Sequence, residues 1–388
     1  MRGIFPRHPS EAAPRFVILR SPTRQSRYGD GASEATKDLL CFDSPLEHDP
    51  PMTSRAWFVD RYGGPERLLL RDRPDPVPAL NEVLVKTAAI ALNFADLFVR
   101  AGAYPRTPKP PFVPGMEISG TIEAIGESVA DLHPGQRVVA VPLFGGHAEK
   151  VTVPAAWVFP LPDGVDLVEA AAMPIAFLTA WYALARAEVG AGDRVVVTAA
   201  AGGVGTALLQ LLVLRNAKTL ALVGSESKLA LCRELGALDA GLYASAVPLL
   251  DRHFAGRADA VIDAIGGKIF RKLWRRLDRG GRYCLYGFAA AAGPGGVARL
   301  TAARELLGMG LLAPYSFVQT CRTLIGFNLS LLPTRTDELR RASQGLFDLW
   351  KSGRIHPVLG PRFSFPTLPE AHRALASRST TGKVIVEV

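Results

Sequence analysis

The segment from residue 195 to residue 212, VVVTAAAGGVGTALLQLL, contains an apolar run, a cluster of glycines and a second apolar run. Aligned with the fingerprint G-x-G-x-x-G, it supplies Ala200, Ala201, Gly202, Gly203, Val204 and Gly205. Alanine replaces the first glycine, whereas Gly202 would let the backbone approach a pyrophosphate and Gly205 would let a helix pack closely on a strand. Free N–H groups at the start of that helix would face the phosphates. The strand–turn–helix context favours dinucleotide binding over a purely structural turn.

The residues after the next apolar run indicate which dinucleotide is bound. An NAD enzyme usually places Asp or Glu there to bond the ribose hydroxyls. Here TLALV, residues 219–223, leads into Gly224 and Ser225, and Lys228 follows. A small polar residue followed by a cation suits the 2′-phosphate of NADPH. Glu226 could instead approach a ribose, and Lys228 could be an ordinary exposed lysine, but the pattern as a whole favours NADPH.

The composition limits the classes of function. With 388 residues, 48% hydrophobic and 21% charged, the chain is expected to form two globular domains and a tail. A net charge of +9 favours anionic partners such as a phosphorylated cofactor. Nucleic-acid binding is not expected, because no stripe of aromatic and basic residues accompanies that charge.

The cysteines and the apolar segments indicate where the protein is located. The cysteines are Cys41, Cys232, Cys284 and Cys321. They form no CxxC pair, so neither a disulfide framework nor a zinc-finger-like site is expected, and a cytoplasmic location fits. Residues 195–214 carry no charge and are long enough to span a bilayer. The glycines at the centre of this window favour a strand, a turn and a helix over a transmembrane segment.

The elements that must position the glycine turn follow from apolar periodicity. Strand-like runs occupy residues 56–59, 82–92, 118–126, 137–141 and 148–154, which predicts a barrel-like first domain. A helix is predicted over residues 166–187. Strands at 194–199, 219–223, 258–265 and 282–287 then alternate with helices near 203–214 and 227–235. This alternation predicts a doubly wound parallel sheet in an α/β protein. A helix near 338–351 and a strand at 383–388 end the chain, and that strand can return to the first domain.

A basic cluster lies near the fourth strand of the second domain. It consists of Arg271, Lys272, Arg275, Arg276, Arg279 and Arg282. Because these residues surround Leu273, Trp274 and Leu277, we interpret them as the exposed side of an amphipathic helix rather than as a ligand site.

Residues 1–51 have a different composition from the rest. They contain seven Arg or Lys and seven Asp or Glu, with little apolar periodicity. This composition predicts a disordered extension. It is too acidic for a typical transit peptide, and translation could alternatively start at Met52.

Four blocks of sequence together resemble the zinc-independent quinone oxidoreductases of the medium-chain dehydrogenase/reductase family. They are LNFADLFVRAGAYP (92–105), PGMEISG (114–120), TAAAGGVG (198–205) and VIDAIGG (261–267). The resemblance extends from about residue 56 to residue 388. Residues 296–332 are similar to the branch that contains the vesicle amine transport protein homologues.

The resemblance implies a GroES-like β-barrel catalytic domain and a Rossmann domain for the cofactor. The expected limits are 1–53 for the extension, 54–175 for the GroES-like domain, 176–324 for the NADP-binding domain and 325–388 for a C-terminal return to the catalytic domain. The implied contacts to the phosphates are Ala201, Gly202, Gly203, Val204 and Gly205. Those to the adenosine and its 2′-phosphate are Ser225, Lys228 and Tyr243.

Other residues are implied at the nicotinamide end of the cleft. Asn93, Tyr104 and Thr179 match positions that line it in relatives. Gly287, Phe288, Phe327 and Asn328 match positions that close over the cofactor. Both phenylalanines could instead belong to the core, and Asn93 could simply cap a turn.

Zinc is not expected, because a catalytic zinc needs three Cys, His or carboxylate ligands. Zinc relatives have Gly-His-Glu where this chain has Gly115, Met116 and Glu117, and a methionine cannot replace that histidine. No cysteine lies between Cys41 and Cys232. His133 and His147 are expected to be isolated surface residues.

The expected reaction is hydride transfer from NADPH to a quinone or an α,β-unsaturated carbonyl. Asn93 is a candidate hydrogen-bond donor to the substrate oxygen, and Tyr104 is a candidate proton donor. Tyr104 could also be an ordinary loop anchor. Two alternatives remain: an enoyl-thioester reductase, and an NADPH-binding scaffold or regulator with little turnover. A homodimer is expected through residues 282–289, because an apolar outer strand invites pairing.

Overall fold

The structure, a computed structural model, describes residues 52–293, 296–297, 299–331 and 336–388. The disordered extension predicted over residues 1–53 therefore lies almost wholly outside the described residues. The alternative that translation starts at Met52 also concerns residues outside the described ranges.

The first sheet is built mainly from the N-terminal half of the described chain. The strands before residue 161 are β1 (Thr53–Val59), β2 (Leu68–Pro74), β3 (Glu82–Leu92), β4 (Ile118–Ile125), β5 (Arg137–Ala140), β6 (Lys150–Pro154) and β7 (Val158–Pro160). β1 begins three residues earlier than predicted and pairs with β2 in a ribbon of its own. β3 is the central strand of the sheet, since it pairs antiparallel with both β4 and β6.

The second sheet has six parallel strands. They are β8 (Arg194–Thr198), β9 (Lys218–Val223), β10 (Asp239–Leu242), β11 (Ala258–Asp263), β12 (Leu277–Leu285) and β15 (Thr323–Gly326), and a ribbon of β13 (Ala292–Gly293) and β14 (Gly296–Val297) lies between the last two in the chain. Their spatial order is β10-β9-β8-β11-β12-β15. This is the order 3-2-1-4-5-6 of a Rossmann sheet, whose cofactor crevice lies where the order reverses, between β8 and β11.

The edge of this sheet differs from the prediction. Residues 282–289 were expected to form an outer strand, but β12 lies between β11 and β15. The prediction was wrong because the chain crosses over once more after Gly287 and adds the short strand β15 outside β12. The outer strand is therefore β15.

The C-terminal strands complete the first sheet. β16 (Leu359–Ser364) pairs parallel with β17 (Lys383–Glu387), and β17 pairs antiparallel with β3. This confirms that the strand predicted at residues 383–388 returns to the first sheet. The exact domain limits stay a prediction.

The helices cover the two sheets. They are α1 (Phe94–Arg100), α2 (Leu167–Ala171), α3 (Pro174–Arg186), α4 (Gly203–Leu214), α5 (Leu229–Glu234), α6 (Ala246–Phe254), α7 (Gly267–Trp274), α8 (Arg299–Met309), α9 (Pro314–Thr320), α10 (Thr336–Lys351) and α11 (Leu368–Ala376). The single helix predicted over residues 166–187 is two helices, α2 and α3. The break falls where Pro174 begins α3, because proline lacks the N–H that a continuous helix would need there.

The basic cluster is only partly helical. α7 ends at Trp274, and Arg282 lies in β12, where it forms an ion pair with Asp193 at 2.5 Å. The interpretation of the whole cluster as one helix face was therefore wrong. Gly280, with a φ of 72°, lies between the helix and this arginine in a conformation that other residues rarely adopt. The apolar residues Leu273, Trp274 and Leu277 are buried, as that interpretation required.

The cores of the two sheets adjoin, because Val139 and Phe159 of the first sheet pack in one core of the second. The core of the first sheet, which is called the barrel sheet below, includes Val85, Ile90, Ile118 and Val384. The Rossmann sheet has one core on each face. One of them joins α3, α4 and α10 to β8 and includes Phe177, Leu208 and Leu346. No helix in the described part of the chain is long and apolar enough to cross a membrane.

Candidate functional site

The glycine turn has the geometry that the sequence predicted. β8 ends at Thr198, Ala199 takes a left-handed conformation with a φ of 51°, and Gly202 precedes the first residue of α4 in an extended conformation. A Cβ atom on Gly205 would lie 2.6 Å from the Cα of Ala200 and closer still to the carbonyl oxygen of Ala199. Both are backbone atoms that cannot move aside, so only glycine allows α4 to start this close to β8.

The turn fits a pyrophosphate. The first N–H groups of a helix have no partner within the helix, and the positive end of the helix dipole favours an anion there. Of the other fingerprint residues, Ala201 is buried and Val204 is half-buried. A Cβ atom on Gly202 would meet only the carbonyl oxygen of Ala199, at 3.3 Å, so this position is open to a ligand.

A C-terminal segment lies against the turn, which the sequence did not predict. The N–H of Gly382 donates a hydrogen bond to the carbonyl oxygen of Ala201 at 2.8 Å. A Cβ atom on Gly203 would lie 2.5 Å from the Cδ of Lys383. The loop between α11 and β17 therefore forms a second wall of the candidate phosphate site, opposite the start of α4.

The three residues expected near the 2′-phosphate follow the ends of the neighbouring strands β9 and β10. The ring of Tyr243 lies beside Gly224, and its hydroxyl accepts a hydrogen bond from the N–H of Ala199 at 3.2 Å. Burial raises the pKa of Tyr243 to about 12. Ser225 is paired with Ser227 at 3.1 Å, and Lys228 donates to the carbonyl oxygen of Arg378 at 2.6 Å.

The charge at this end is mixed. Burial lowers the pKa of Lys228, as expected for a cation that is partly withdrawn from water. Glu226 is exposed in the short turn Glu226–Lys228. Arg378 joins this group from the other side, with its guanidinium over the ring of Phe94 and hydrogen-bonded to the carbonyl oxygens of Ala289 and Ala292. Arg378 was missed because it is far away in the sequence.

Asn93 takes part in a buried polar network at the other end of the cleft. It is the residue before α1, and its backbone N–H donates to Asp96 at 2.8 Å. Its side-chain Nδ2 donates to Glu117 at 3.1 Å and, weakly, to the carbonyl oxygen of Ala91 at 3.4 Å. Its Oδ1 accepts from the ammonium of Lys383 at 2.8 Å. Asn93 is therefore the N-cap residue of a helix, whereas the alternative interpretation had it capping a turn, and it also uses its side-chain amide within the protein.

Glu117 is the buried acceptor of this network. One of its carboxylate oxygens accepts from Lys383 as well as from Asn93, and the other accepts from the N–H of Ile175 in the first turn of α3 at 2.7 Å. Burial raises the pKa of the neighbouring Asp96 to about 7, against the opposing effects of the N–H of Asn93 and of the charge on Lys383.

Tyr104 reaches the segment that follows β15. Its hydroxyl donates to the Oδ1 of Asn328 at 2.9 Å and lies 3.0 Å from the hydroxyl of Ser330. Burial raises the pKa of Tyr104. The structure thus brings together Tyr104 and Asn328, two predicted site residues that lie more than 200 positions apart in the sequence.

The remaining predicted residues lie on α3 and directly after strands β12 and β15. Thr179 is buried in α3, and the ring of Phe327 packs on Tyr182 of the same helix at a centroid distance of 4.8 Å. A Cβ atom on Gly287 would lie 2.7 Å from the carbonyl oxygen of Ala264, so the segment after β12 passes close to the end of β11. The ring of Phe288 lies against Gly266 in the same turn.

Asp263 organises that turn and was also missed. Its carboxylate accepts from the hydroxyls of Thr198 and Tyr283 and from the N–H groups of Ile265 and Gly266, at 2.6–3.1 Å. Burial raises its pKa. An Asp at the end of an apolar strand, with a pair of glycines three residues later, was the available signal for it.

The histidines required one correction. His133 is exposed as expected, but His147 is fully buried and was wrongly placed on the surface. The buried ring of His372 lies 5.2 Å from that of His147, and the Nδ1 of His372 accepts from Arg100 at 2.9 Å. Met116 is buried. Across the described residues, no group of three or more His, Cys, Asp or Glu could hold a metal ion.

Comparison with known proteins agrees with this architecture. Residues 79–163 match the family model described as the alcohol dehydrogenase GroES-like domain, and residues 235–386 match the one described as zinc-binding dehydrogenase. A zebrafish (Danio rerio) synaptic vesicle membrane protein VAT-1 homolog is 31% identical over 86% of this chain and 70% of its own length. The bovine (Bos taurus) quinone oxidoreductase-like protein 2 is 32% identical over 81% of this chain and 87% of its own length.

A solved structure gives the same result at the level of the fold. The quinone oxidoreductase of Thermus thermophilus, whose complex with NADPH has been determined, is 35% identical. The alignment covers 86% of this chain and all of that chain, with a TM-score of 0.71. A GroES-like domain joined to a Rossmann sheet is the architecture of the medium-chain dehydrogenases and reductases. This chain belongs to that family, in its quinone oxidoreductase-like group.

Proposed function

We propose that the protein is an NADPH-dependent, zinc-independent reductase that transfers a hydride to a quinone or an α,β-unsaturated carbonyl compound. The glycine turn between β8 and α4 is the observation that carries this proposal, because Gly205 is sterically required there and the start of the helix faces a site for phosphates. The NADPH complex of the Thermus thermophilus relative supports the choice of cofactor.

Each part of the site has a proposed role toward the cofactor. Gly202, Gly203 and the start of α4 would hold the pyrophosphate. Ser225, Lys228 and Tyr243 would hold the adenosine and its 2′-phosphate, since they follow the ends of the neighbouring strands β9 and β10. Bound NADPH supplies the hydride.

The other residues would prepare the substrate end of the cleft. Thr179, Gly287 and the rings of Phe288 and Phe327 would exclude water from it. Tyr104 is the candidate proton source, because a tyrosine with a raised pKa keeps its proton at neutral pH. Asn93 is the candidate group for orienting the substrate oxygen, through the amide hydrogen that otherwise makes only the weak 3.4 Å contact with the carbonyl oxygen of Ala91. A quinone accepts a hydride readily, so a strong acid is not needed.

A panel of electron acceptors tests the proposal. Oxidation of NADPH and of NADH is followed at saturating concentrations of a quinone, an enone and an enoyl-thioester. We expect turnover with the quinone or the enone, and a preference for NADPH. Turnover with only the enoyl-thioester would favour the second enzyme class. Tight NADPH binding without oxidation by any acceptor would indicate a scaffold or regulator.

Two measurements test the proposed role of Tyr104 and the absence of zinc. Tyr104→Phe should lower kcat with the enone more than with the quinone, because only the enone depends on a proton donor. Elemental analysis of the purified protein should find no stoichiometric zinc, and chelators should leave the activity intact. One zinc per chain would contradict the argument from Met116.

We also propose a homodimer through β15. This strand is one edge of the Rossmann sheet; Leu324 within it, and Leu311, Tyr315 and Val318 in the segment that leads into it, have exposed apolar side chains. An unpaired edge beside so many exposed apolar groups invites a second strand. A second copy of the chain could satisfy the backbone of β15 and cover these side chains together.

A further inference from the structure

The ammonium of Lys383 determines which way the side-chain amide of Asn93 points. A lysine ammonium can only donate hydrogen bonds, and an ionised carboxylate can only accept them. Because Lys383 donates to Asn93 at 2.8 Å and Asn93 donates to Glu117 at 3.1 Å, the amide oxygen must face Lys383 and the amide nitrogen must face Glu117. In the opposite orientation, the amide nitrogen would face the ammonium of Lys383, which is also a donor, and the amide oxygen would face the carboxylate of Glu117, which is also an acceptor.

This arrangement is buried and rigid. The side chain of Glu117 is fully buried, and that of Lys383 is 6% exposed. The second carboxylate oxygen of Glu117 is fixed by the N–H of Ile175 at the start of α3. Removing either charged partner would leave the other charge buried without compensation, which proteins tolerate poorly.

Lys383 also contacts the candidate cofactor site. Its Cδ would lie only 2.5 Å from a Cβ atom on Gly203, the first residue of α4. One side chain therefore covers the phosphate turn with its methylene groups and holds Asn93 with its ammonium. Lys383 is the first residue of β17, so it reaches both groups from the barrel sheet.

We infer that Lys383 is a positioning residue, which joins the phosphate turn to Asn93 and fixes the side-chain amide of Asn93 for hydride transfer, with Glu117 as the counter-charge. The kinetic part of this inference rests on the function proposed above. The structural part concerns the protein without its cofactor and can be tested independently.

The structural test uses the small number of asparagines. The chain contains Asn81, Asn93, Asn216 and Asn328. Selective labelling of asparagine with nitrogen-15 therefore gives four side-chain NH₂ signals, and Asn93→Ala identifies the signal of Asn93 by its loss. In cofactor-free protein, Lys383→Met should shift the Asn93 signal and leave those of Asn81 and Asn216 in place. An unmoved Asn93 signal would overturn the inference even if the protein proves to be an active reductase.

The kinetic test separates positioning from general damage. At saturating NADPH and quinone, Lys383→Met should lower kcat by about 10- to 100-fold, the range expected when a group near the reaction is misplaced. The affinity for NADPH, measured by fluorescence titration, should change by less than about 3-fold, well within one tenfold step. Lys383→Arg, which keeps the charge and the donors, should recover most of kcat.

Two further variants exclude a purely structural role. In an Asn93→Ala background, Lys383→Met should change kcat by less than about 2-fold, because the group through which Lys383 acts is already gone. If each substitution lowers kcat by the same factor whether or not the other is present, the inference is contradicted. Lys150→Met is the matched control: it breaks the ion pairs of Lys150 with Asp75 and Glu123 in the same domain, at 2.7 and 2.6 Å, and should leave kcat unchanged.

A neutral double variant covers the case in which Lys383→Met does not fold. Lys383→Met combined with Glu117→Gln removes both charges of this buried pair and leaves neither of them without its partner, so it should fold. It still removes the hydrogen bond to the Oδ1 of Asn93. The same shift of the Asn93 signal and the same loss of kcat are expected, and normal values for both would refute the role of Lys383.

Discussion

Acid should destabilise this protein through His147, a residue whose sequence context suggested an exposed position. The ring is fully buried, and neither of its nitrogens has a hydrogen-bond partner in the structure. Burial, assisted by the nearby charge of Arg100, lowers the pKa of His147 from 6.5 to about 3. The unfolded chain therefore binds a proton at this residue below pH 6.5, whereas the folded protein does not until the pH is near 3.

The sign and the size of the effect follow from that difference. Stability contributed by neutral His147 is complete above pH 6.5 and is lost progressively as the pH falls toward 3. Between pH 7 and pH 5, this single group should lower the free energy of unfolding by about 2 kcal/mol. His372 acts in the same direction, because burial also lowers its pKa. Asp96 acts in the opposite direction, since its raised pKa of about 7 makes the folded state bind the extra proton.

The variant His147→Gln isolates the contribution of His147. Glutamine is polar and does not titrate, so its constant cost cancels when the same protein is compared at two pH values. Equilibrium urea unfolding at pH 7 and pH 5 should show a loss of stability that is about 2 kcal/mol smaller in the variant than in the wild type. The contribution of Asp96 is common to both proteins, and so is the part of the His372 contribution that comes from burial.

His133→Gln is the control for this experiment. His133 is exposed, so water surrounds it in both the folded and the unfolded state, and this variant should follow the wild type. If the wild type and His147→Gln lose the same stability between pH 7 and pH 5, the buried and neutral state assigned to His147 is wrong.

Three other outcomes follow from the structure. Gly205→Ala should abolish NADPH binding or folding because of the backbone contacts described above. Gly345→Ala in α10, where a Cβ atom meets nothing within 4 Å, should instead raise the free energy of unfolding by about 0.5–1 kcal/mol. Denaturant titration measures the free energy of unfolding of both variants. Lys228→Ala should weaken NADPH binding by about 0.2–1 kcal/mol and leave NADH binding nearly unchanged, and equal affinities of the wild type for both cofactors would reject the 2′-phosphate site. Light scattering should find a dimer at micromolar concentration that Leu324→Lys dissociates, and a wild-type monomer would count against pairing through β15.

Local sequence was sufficient where the physical constraint is itself local. The fingerprint around Gly202 and Gly205 predicted the strand, the turn and the helix, because close backbone contacts within a few residues require glycine there. The alternation of apolar runs likewise predicted the parallel sheet and the returning strand at residues 383–388. Missed details such as the break before α3 were also local, and Pro174 was the available signal.

Tertiary structure decided everything that depends on partners distant in the sequence. The local sequence around His147 gave no sign that its ring would be enclosed beside His372. Likewise, the local sequence around β12 gave no sign that a further crossover would make β15 the edge strand. Lys383 appeared only as the start of an apolar strand, yet folding places its ammonium on Asn93 and Glu117, 290 and 266 positions earlier in the chain. The reason is that burial, charge pairing and hydrogen-bond geometry are properties of the space around a side chain. In this protein the first sheet, whose other strands come before residue 161, is completed by two strands from the C-terminal end of the chain.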